Sequence, residues 1–223
     1  MWIKICANTN LVDAQLAAEL GADAVGFVFA PSKRQVTAAE VARITQHLPV
    51  HVERVGVFPA LPAEEIAQQA QQAGLSAVQL HGGVDLALLQ RLHELFQGRI
   101  KIIQTVHWQI DAESTSAAAV GQQLREIAEQ GIVHRVLIDS KIGDATGGTG
   151  VPFNWSAARA VFTPASEGLE LIVAGGLRPD NIAEAIQGLA PWGVDVASGV
   201  EETPGQKSPE KLAAFIKNAR DSA

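Results

Sequence analysis

"LELIVAGGLRPDNIAEAIQGLAPWGVDVASG", residues 169–199, decides the fold. An apolar, β-branched run ends in the glycine turn "VAGGLRPDN", an amphipathic helical pattern follows, and a second β-like run again closes on small residues in "ASG". Two such runs joined by a helix make a βαβ unit. Its strands lie parallel, because only a crossover of this length carries the chain back to start beside its own beginning. Both runs lack polar alternation, which places them in a sheet covered on both faces.

Working towards the N-terminus, the same unit recurs. "WIKICA", "AVGFVFA", "VERVGVF", "AVQLHG", "IKIIQTV" and "RVLIDS" precede "LELIVAGG" and "GVDVASG", eight runs in all. Between them stand patterns of helical period such as "NLVDAQLAAELG", "TAAEVARITQHL" and "DLALLQRLHELF", and "SPEKLAAFIKNAR" closes the chain. Thr37 with Glu40 forms a capping box, Gly21, Gly74 and Gly131 suit helix C-termini, and Ser208 precedes Pro209 at a helix start. A doubly wound open sheet shares this alternation, but eight strands with glycine-rich late turns favour closure. The pattern predicts one (β/α)8 barrel spanning residues 1–223.

Composition agrees with one core. The chain has 223 residues, 47% of them apolar. Its one cysteine, Cys6, excludes an internal disulfide framework and a cysteine-ligated metal cluster, and fits a reducing cytoplasm. The start lacks the apolar core of a signal peptide, and no run approaches the roughly 18 apolar residues of a membrane span. A formal charge of -7, with no basic cluster longer than "SKR", offers little to a nucleic acid or an anionic membrane. An anionic ligand must therefore be held by local geometry. Of six histidines only His47 and His51 stand at HxxxH spacing, around Pro49, and no carboxylate cluster accompanies them, so no metal is expected.

Barrel active sites are built where strands end and βα-loops begin. Alternation along the first run puts Lys4 and Cys6 on one face and Ile3 and Ile5 on the other. The apolar pair packs on helices, so Lys4 and Cys6 turn inward. A buried ammonium needs a partner, and Asp195, in the strand that closes against the first, is the candidate. Asp139 ends the sixth run at the same rim. A thiol and a carboxyl facing across a mouth suit a reaction in which one removes a proton and the other donates one. Cys6 must then act as thiolate, which calls for a lowered pKa from a cation or amide dipoles. Arg34, after the second run, suits bidentate pairing with a substrate carboxylate. Gln79 and His81 share a face of the fourth run and, with Asp195, are expected to line the mouth.

The turns "GDATGGTGVPFNW" (143–155), "VAGGLRPDN" and "ASGVE" follow the last three runs. Glycine lets backbone amides approach a phosphate, and helix starts behind the turns add positive dipole ends. The predicted phosphate cradle comprises Gly148, Thr149, Gly150, Gly175, Gly176, Ser198 and Gly199.

In order, "KICANTN", "GFVFAPSKRQV", "VGVF", "VQLHG", "LIDS", "GGTGVPFNW", "AGGLRPDN" and "GVDVASGVEETPGQKS" resemble the motif series of the phosphoribosylanthranilate isomerases, from residue 3 to about residue 208. The resemblance implies a cofactor-free barrel of tryptophan biosynthesis, monomeric or homodimeric. Its substrate would be a small phosphorylated aminoaldose, N-(5-phosphoribosyl)anthranilate. Its product would be 1-(2-carboxyphenylamino)-1-deoxyribulose 5-phosphate, formed by an Amadori rearrangement. It further implies Asp139 as general acid, Cys6 as general base at sugar carbon 2, and Arg34 as partner of the anthranilate carboxylate. The sequence departs from the family at Ala7, where glycine is usual, at Lys33, where proline is common, and at Ala197, where serine is usual. Alanine avoids positive φ, so Ala7 predicts an altered rate before lost function. Two alternatives share these loops. Another phosphosugar epimerase or lyase would need a lysine, a metal cluster or paired carboxylates, and a non-catalytic phosphate-binding barrel would be free to lose the acid and base.

Overall fold

The structure is a computed structural model that describes residues 1–109, 113–141, 159, 162 and 167–223. Eight parallel strands close into a barrel in sequence order, β1 pairing with both β2 and β8. They are β1 (Trp2–Ile5), β2 (Ala24–Val28), β3 (Glu53–Phe58), β4 (Ala77–Leu80), β5 (Lys101–Gln109), β6 (Arg135–Lys141), β7 (Glu170–Ala174) and β8 (Gly193–Val196). Helices α1 (Leu11–Glu19), α2 (Ala38–Thr45), α3 (Ala63–Gln72), α4 (Leu86–Phe96) and α5 (Glu113–Gln130) follow the first five strands; α6 (Ile182–Leu189) follows β7 and α7 (Pro209–Asp221) ends the fold.

The boundary signals act as read. Thr37 and Glu40 form the capping box of α2, and the Ser208 side chain accepts from the Lys211 N–H with Pro209 in the first turn of α7. Gly21, Gly74 and Gly131 take positive φ behind α1, α3 and α5. Two features lie beyond the sequence reading. β5 runs on through His107 to Gln109, and a small antiparallel pair, β9 (Glu201–Thr203) with β10 (Gln206–Lys207), sits between β8 and α7.

Alternation sorts the strand residues into two cores. Ile3, Ile5, Val25 and Phe27 face the helices and are fully buried with α1 and α2. Trp2, Ala24, Val55, Ala77, Ile103, Leu137 and Ile172 point inward and fill the lower barrel. Trp2 stacks on Trp192 at 5.4 Å between centroids, and the Arg135 guanidinium lies 5.3 and 4.5 Å from the two rings. Arg135 also donates to Glu53 at 2.6 Å and Glu170 at 2.7 Å. This end is thus closed by rings and fully paired charges, the stabilising face of such barrels, which leaves the opposite mouth for chemistry. Among the described residues, no helix is long and apolar enough to cross a membrane.

Candidate active site

A cavity of about 320 Å³ opens at the C-terminal ends of the strands. Cys6, Arg34, Gln79, His81, Asp139 and Asp195 all line it, as do Gly175, Gly176, Ser198 and Gly199. The structure therefore assembles in one place the candidates read from the sequence within the described residues. Gly148, Thr149 and Gly150 lie outside them.

On the β1 side, register puts Lys4 directly opposite Asp195, and the predicted ion pair forms at 2.9 Å with the lysine fully buried. Burial alone would lower the Lys4 pKa, but Asp195 and the Cys6 sulfur outweigh it and leave the ammonium above its ordinary value. Gly26 makes room for this arrangement: a Cβ there would stand 2.7 Å from Cys6 Sγ and 2.9 Å from Lys4 Cε. A second buried lysine, Lys207 on β10, donates to the Cys6 carbonyl at 2.5 Å and to Ala197 at 3.3 Å.

The cations called for beside Cys6 are present, yet the expected lowering of its pKa is not what results. Burial pushes the thiol up, and Lys4 and Lys207 offset this only in part, with Asp195 adding to the rise. The consequence is a scarce but strong base: fewer molecules hold the thiolate near neutrality, and each thiolate is more basic.

Arg34 reaches the same rim, but its guanidinium already has a carboxylate. Nε and Nη2 donate to Glu201 at 2.6–3.0 Å, a fork on a side chain only 4% exposed. Glu201 also accepts from the Gly205 N–H at 3.2 Å and lies 3.5 Å from Lys207 Nζ. Burial opposes its charge, but Arg34, Lys207 and the Gly205 N–H together hold the carboxyl below its ordinary pKa. Glu201 thus ties the candidate carboxylate receptor to the lysine that grips the Cys6 backbone.

On the β4–β6 side, Asp139 Oδ2 stands 3.8 Å from His81 Nε2 and 3.9 Å from His107 Nδ1, and the two imidazoles pack edge to face at 4.8 Å. Gln79 donates to Thr105 at 3.2 Å below them. His107, Glu201 and Lys207 escaped sequence reasoning. The alternation that turns Ile103 inward continues through Thr105 to His107, so the signal was the run "VHWQ" beyond Val106.

The two late loops meet closely. A Cβ on Gly199 would fall 1.9 Å from the Leu177 carbonyl oxygen, so only glycine lets the turn after β8 lie against the turn after β7. Asn181 fixes the latter by accepting from the Arg178 N–H at 2.7 Å and donating to the Gly176 carbonyl at 3.0 Å.

A closed (β/α)8 barrel with a thiol, a carboxyl and glycine loops around one mouth defines the class of phosphosugar-handling barrel enzymes. Comparison with known proteins sharpens this. The family described as N-(5'phosphoribosyl)anthranilate (PRA) isomerase matches residues 3–218. An N-(5'-phosphoribosyl)anthranilate isomerase of Thermotoga petrophila is 39% identical over 222 residues, with 98% of each chain covered. The crystal structure of the Thermotoga maritima phosphoribosyl anthranilate isomerase superposes with a TM-score of 0.84 at 37% identity, covering 99% of both chains. A structure of such an isomerase in complex with reduced 1-(o-carboxyphenylamino)-1-deoxyribulose 5-phosphate gives 0.78 at 35% identity, again over 99% of both chains. The chain belongs to the N-(5'-phosphoribosyl)anthranilate isomerase family.

Proposed function

We propose that Cys6 and Asp139 carry out the conversion of N-(5-phosphoribosyl)anthranilate to 1-(2-carboxyphenylamino)-1-deoxyribulose 5-phosphate, a step of tryptophan biosynthesis. The observation that carries this reading is the shared cavity: a buried thiol beside two ammonium groups on one rim and a carboxyl on the other, separated by β7 and β8 and their glycine loops.

Asp139 in its acid form protonates the ring oxygen of the ribose. The C1–O bond breaks as the anthranilate nitrogen lone pair forms the Schiff base. The Cys6 thiolate takes the proton from carbon 2, giving the enolamine; carbon 1 then gains the proton held by the Cys6 thiol while the carbon-2 hydroxyl loses one, by way of solvent, to the Asp139 carboxylate, leaving the ketone and restoring both groups. Substrate and product are isomers, so the stoichiometry requires no cofactor. Arg34 receives the anthranilate carboxylate on the guanidinium N–H groups that Glu201 does not take, Glu201 fixing the plane of the group. The phosphate lies against Gly175, Gly176, Ser198 and Gly199, where backbone amides bind an anion without a lysine cluster on an acidic protein; Gly148, Thr149 and Gly150 of the expected cradle lie outside the described residues. Gln79 and Asp195 support the wall beneath the sugar. The reading takes residues 1–223 as one barrel acting in the cytoplasm on a small phosphorylated aminoaldose, as a monomer or homodimer, with no nucleic-acid or membrane partner. A dimeric state is described for the Thermotoga maritima relative.

The test is the loss of anthranilate-derivative fluorescence as substrate formed in situ is consumed. Cys6→Ser and Asp139→Asn should each lower kcat by about 10²- to 10⁴-fold, the usual worth of a positioned acid or base, with circular dichroism unchanged. A folded variant that keeps full turnover removes that residue from the mechanism.

A further inference from the structure

His81, His107 and Asp139 sit one per strand end on the adjacent strands β4, β5 and β6, and the isomerisation uses only the carboxyl. One donor atom from each lies within 4.8 Å of the others. Two imidazole nitrogens and a carboxylate oxygen form the donor set of three-ligand zinc sites whose fourth position stays open. A tetrahedral ion with bonds of 2.0–2.1 Å sets its ligands about 3.3 Å apart. Each histidine must therefore close on Asp139 by roughly half an ångström from its present 3.8 or 3.9 Å, and the widest donor pair, up to 4.8 Å apart, by up to about 1.5 Å. The three side chains are 34%, 23% and 15% exposed, so they can turn without opening a core. The edge-to-face packing of the rings, at 83°, keeps them from stacking and lets nitrogens of both reach the same carboxyl.

We propose that His81, His107 and Asp139 bind a zinc-like transition-metal ion, and that its occupation switches the isomerase off by engaging the Asp139 carboxylate. The inhibition half of this rests on the reading of Asp139 as the general acid. A carboxylate bonded to a metal has no proton to donate, and the ion's charge holds it deprotonated. Paired imidazoles favour Zn²⁺, Co²⁺, Ni²⁺ or Cu²⁺ over Mg²⁺ and Ca²⁺, which require oxygen-rich cages. Substrate and metal then compete for one mouth.

The test pairs calorimetric titration with Zn²⁺, and the visible spectrum of added Co²⁺, with the fluorescence assay at rising Zn²⁺. Wild type should bind one ion with a tetrahedral cobalt spectrum and lose activity reversibly, chelator restoring it. His107→Asn should keep its turnover without metal. It should weaken metal binding by more than the roughly 10- to 100-fold that changes beyond the direct ligands cost. Its inhibition should weaken by the same factor. Inhibition undiminished in His107→Asn would place the ion elsewhere, Cys6 included, and overturn the site, as would no binding at millimolar Zn²⁺. His107-dependent binding that leaves turnover intact would overturn the switch. A wild type that binds metal in a His107-dependent way but never turns over the aminoaldose would instead sink the isomerase reading and leave the metal site standing.

Discussion

The two rims of the mouth are built on opposite principles. On the β1 side the charges are in direct contact and, Arg34 apart, buried: Lys4 with Asp195 at 2.9 Å, Arg34 with Glu201 at 2.6 Å, and Lys207 on the Cys6 carbonyl. On the β4–β6 side the His81 and His107 imidazoles stand 3.8 and 3.9 Å from the Asp139 carboxylate, and all three are partly exposed. In the dry rim little solvent stands between neighbouring charges. In the wetter rim solvent screens the same pairings. The base is thus fixed by ion pairs within the fold, while the acid stands beside two partly exposed imidazoles at the cavity wall.

The largest effect that would break this contrast is Lys4→Met. It leaves Asp195 buried without its cation and should cost about 3–5 kcal/mol in denaturant unfolding. Adding Asp195→Leu should recover most of that loss, because a well-packed apolar pair often replaces a buried ion pair without penalty. Catalysis would not recover. Lys4 is the main charge holding the Cys6 thiol down against burial, so kcat/KM, which should rise with pH towards and beyond the ordinary thiol range in wild type, should begin its rise at higher pH in the double variant. The stability sign is fixed by the raised Lys4 pKa: the pair contributes fully below the ordinary lysine value and is lost as pH climbs through the higher folded one. A double variant with an unshifted pH profile would show that the ammonium serves packing alone.

Glu201→Gln should act more weakly and on the other parameter. The neutral amide holds Arg34 less firmly and leaves Lys207 short of a counter-charge, so KM should rise by about tenfold with kcat nearly constant, as when binding common to ground and transition states is removed. The depressed Glu201 pKa gives the matching pH signature. Its support is present above the ordinary carboxylate value and disappears as pH falls through the lower folded one, so wild-type KM should climb in acid while that of Glu201→Gln stays flat. A lower KM in the variant would mean that Glu201 competes with the substrate carboxylate for Arg34.

The sequence was most informative where a property repeats over short range. Strand alternation placed Lys4, Cys6 and Asp195 inward, and the order of strands in a closed barrel then made the Lys4 pairing a forced consequence. Capping residues placed helix starts because their bonds span only three residues. What escaped depends on where strands stop and on contacts across the chain. His107 lay beyond the expected end of β5, yet register carries it beside Asp139. Glu201 and Lys207 sit in a hairpin whose bends follow from contacts with Arg34 and the Cys6 loop, separated from them by 167 and 201 residues. His81 and His107 match no short spacing rule because a barrel gathers side chains one per strand.

The smallest effect concerns the residue after the base. Ala7 is 1% exposed and takes φ 62, the left-handed region that costs a non-glycine residue roughly 1–2 kcal/mol. Its neighbour shows what holds it there: the Asn8 side chain donates to the Ile5 carbonyl at 2.8 Å and the Gly26 carbonyl at 3.2 Å, and the Asn8 N–H donates to Gly26 at 2.9 Å. Lys207 fixes the Cys6 carbonyl from the other side. The turn is over-determined, so the alanine stores strain without displacing the thiol. Ala7→Gly should relieve that strain but loosen the unfolded chain, for a net gain of about 0.5–1 kcal/mol in denaturant unfolding. Because the anchors on either side remain, kcat should stay within about twofold, well short of the loss of an acid or base. A marked rise in kcat with no gain in stability would locate the strain at Cys6 itself, and would mean that the dry rim is less rigid than its ion pairs imply.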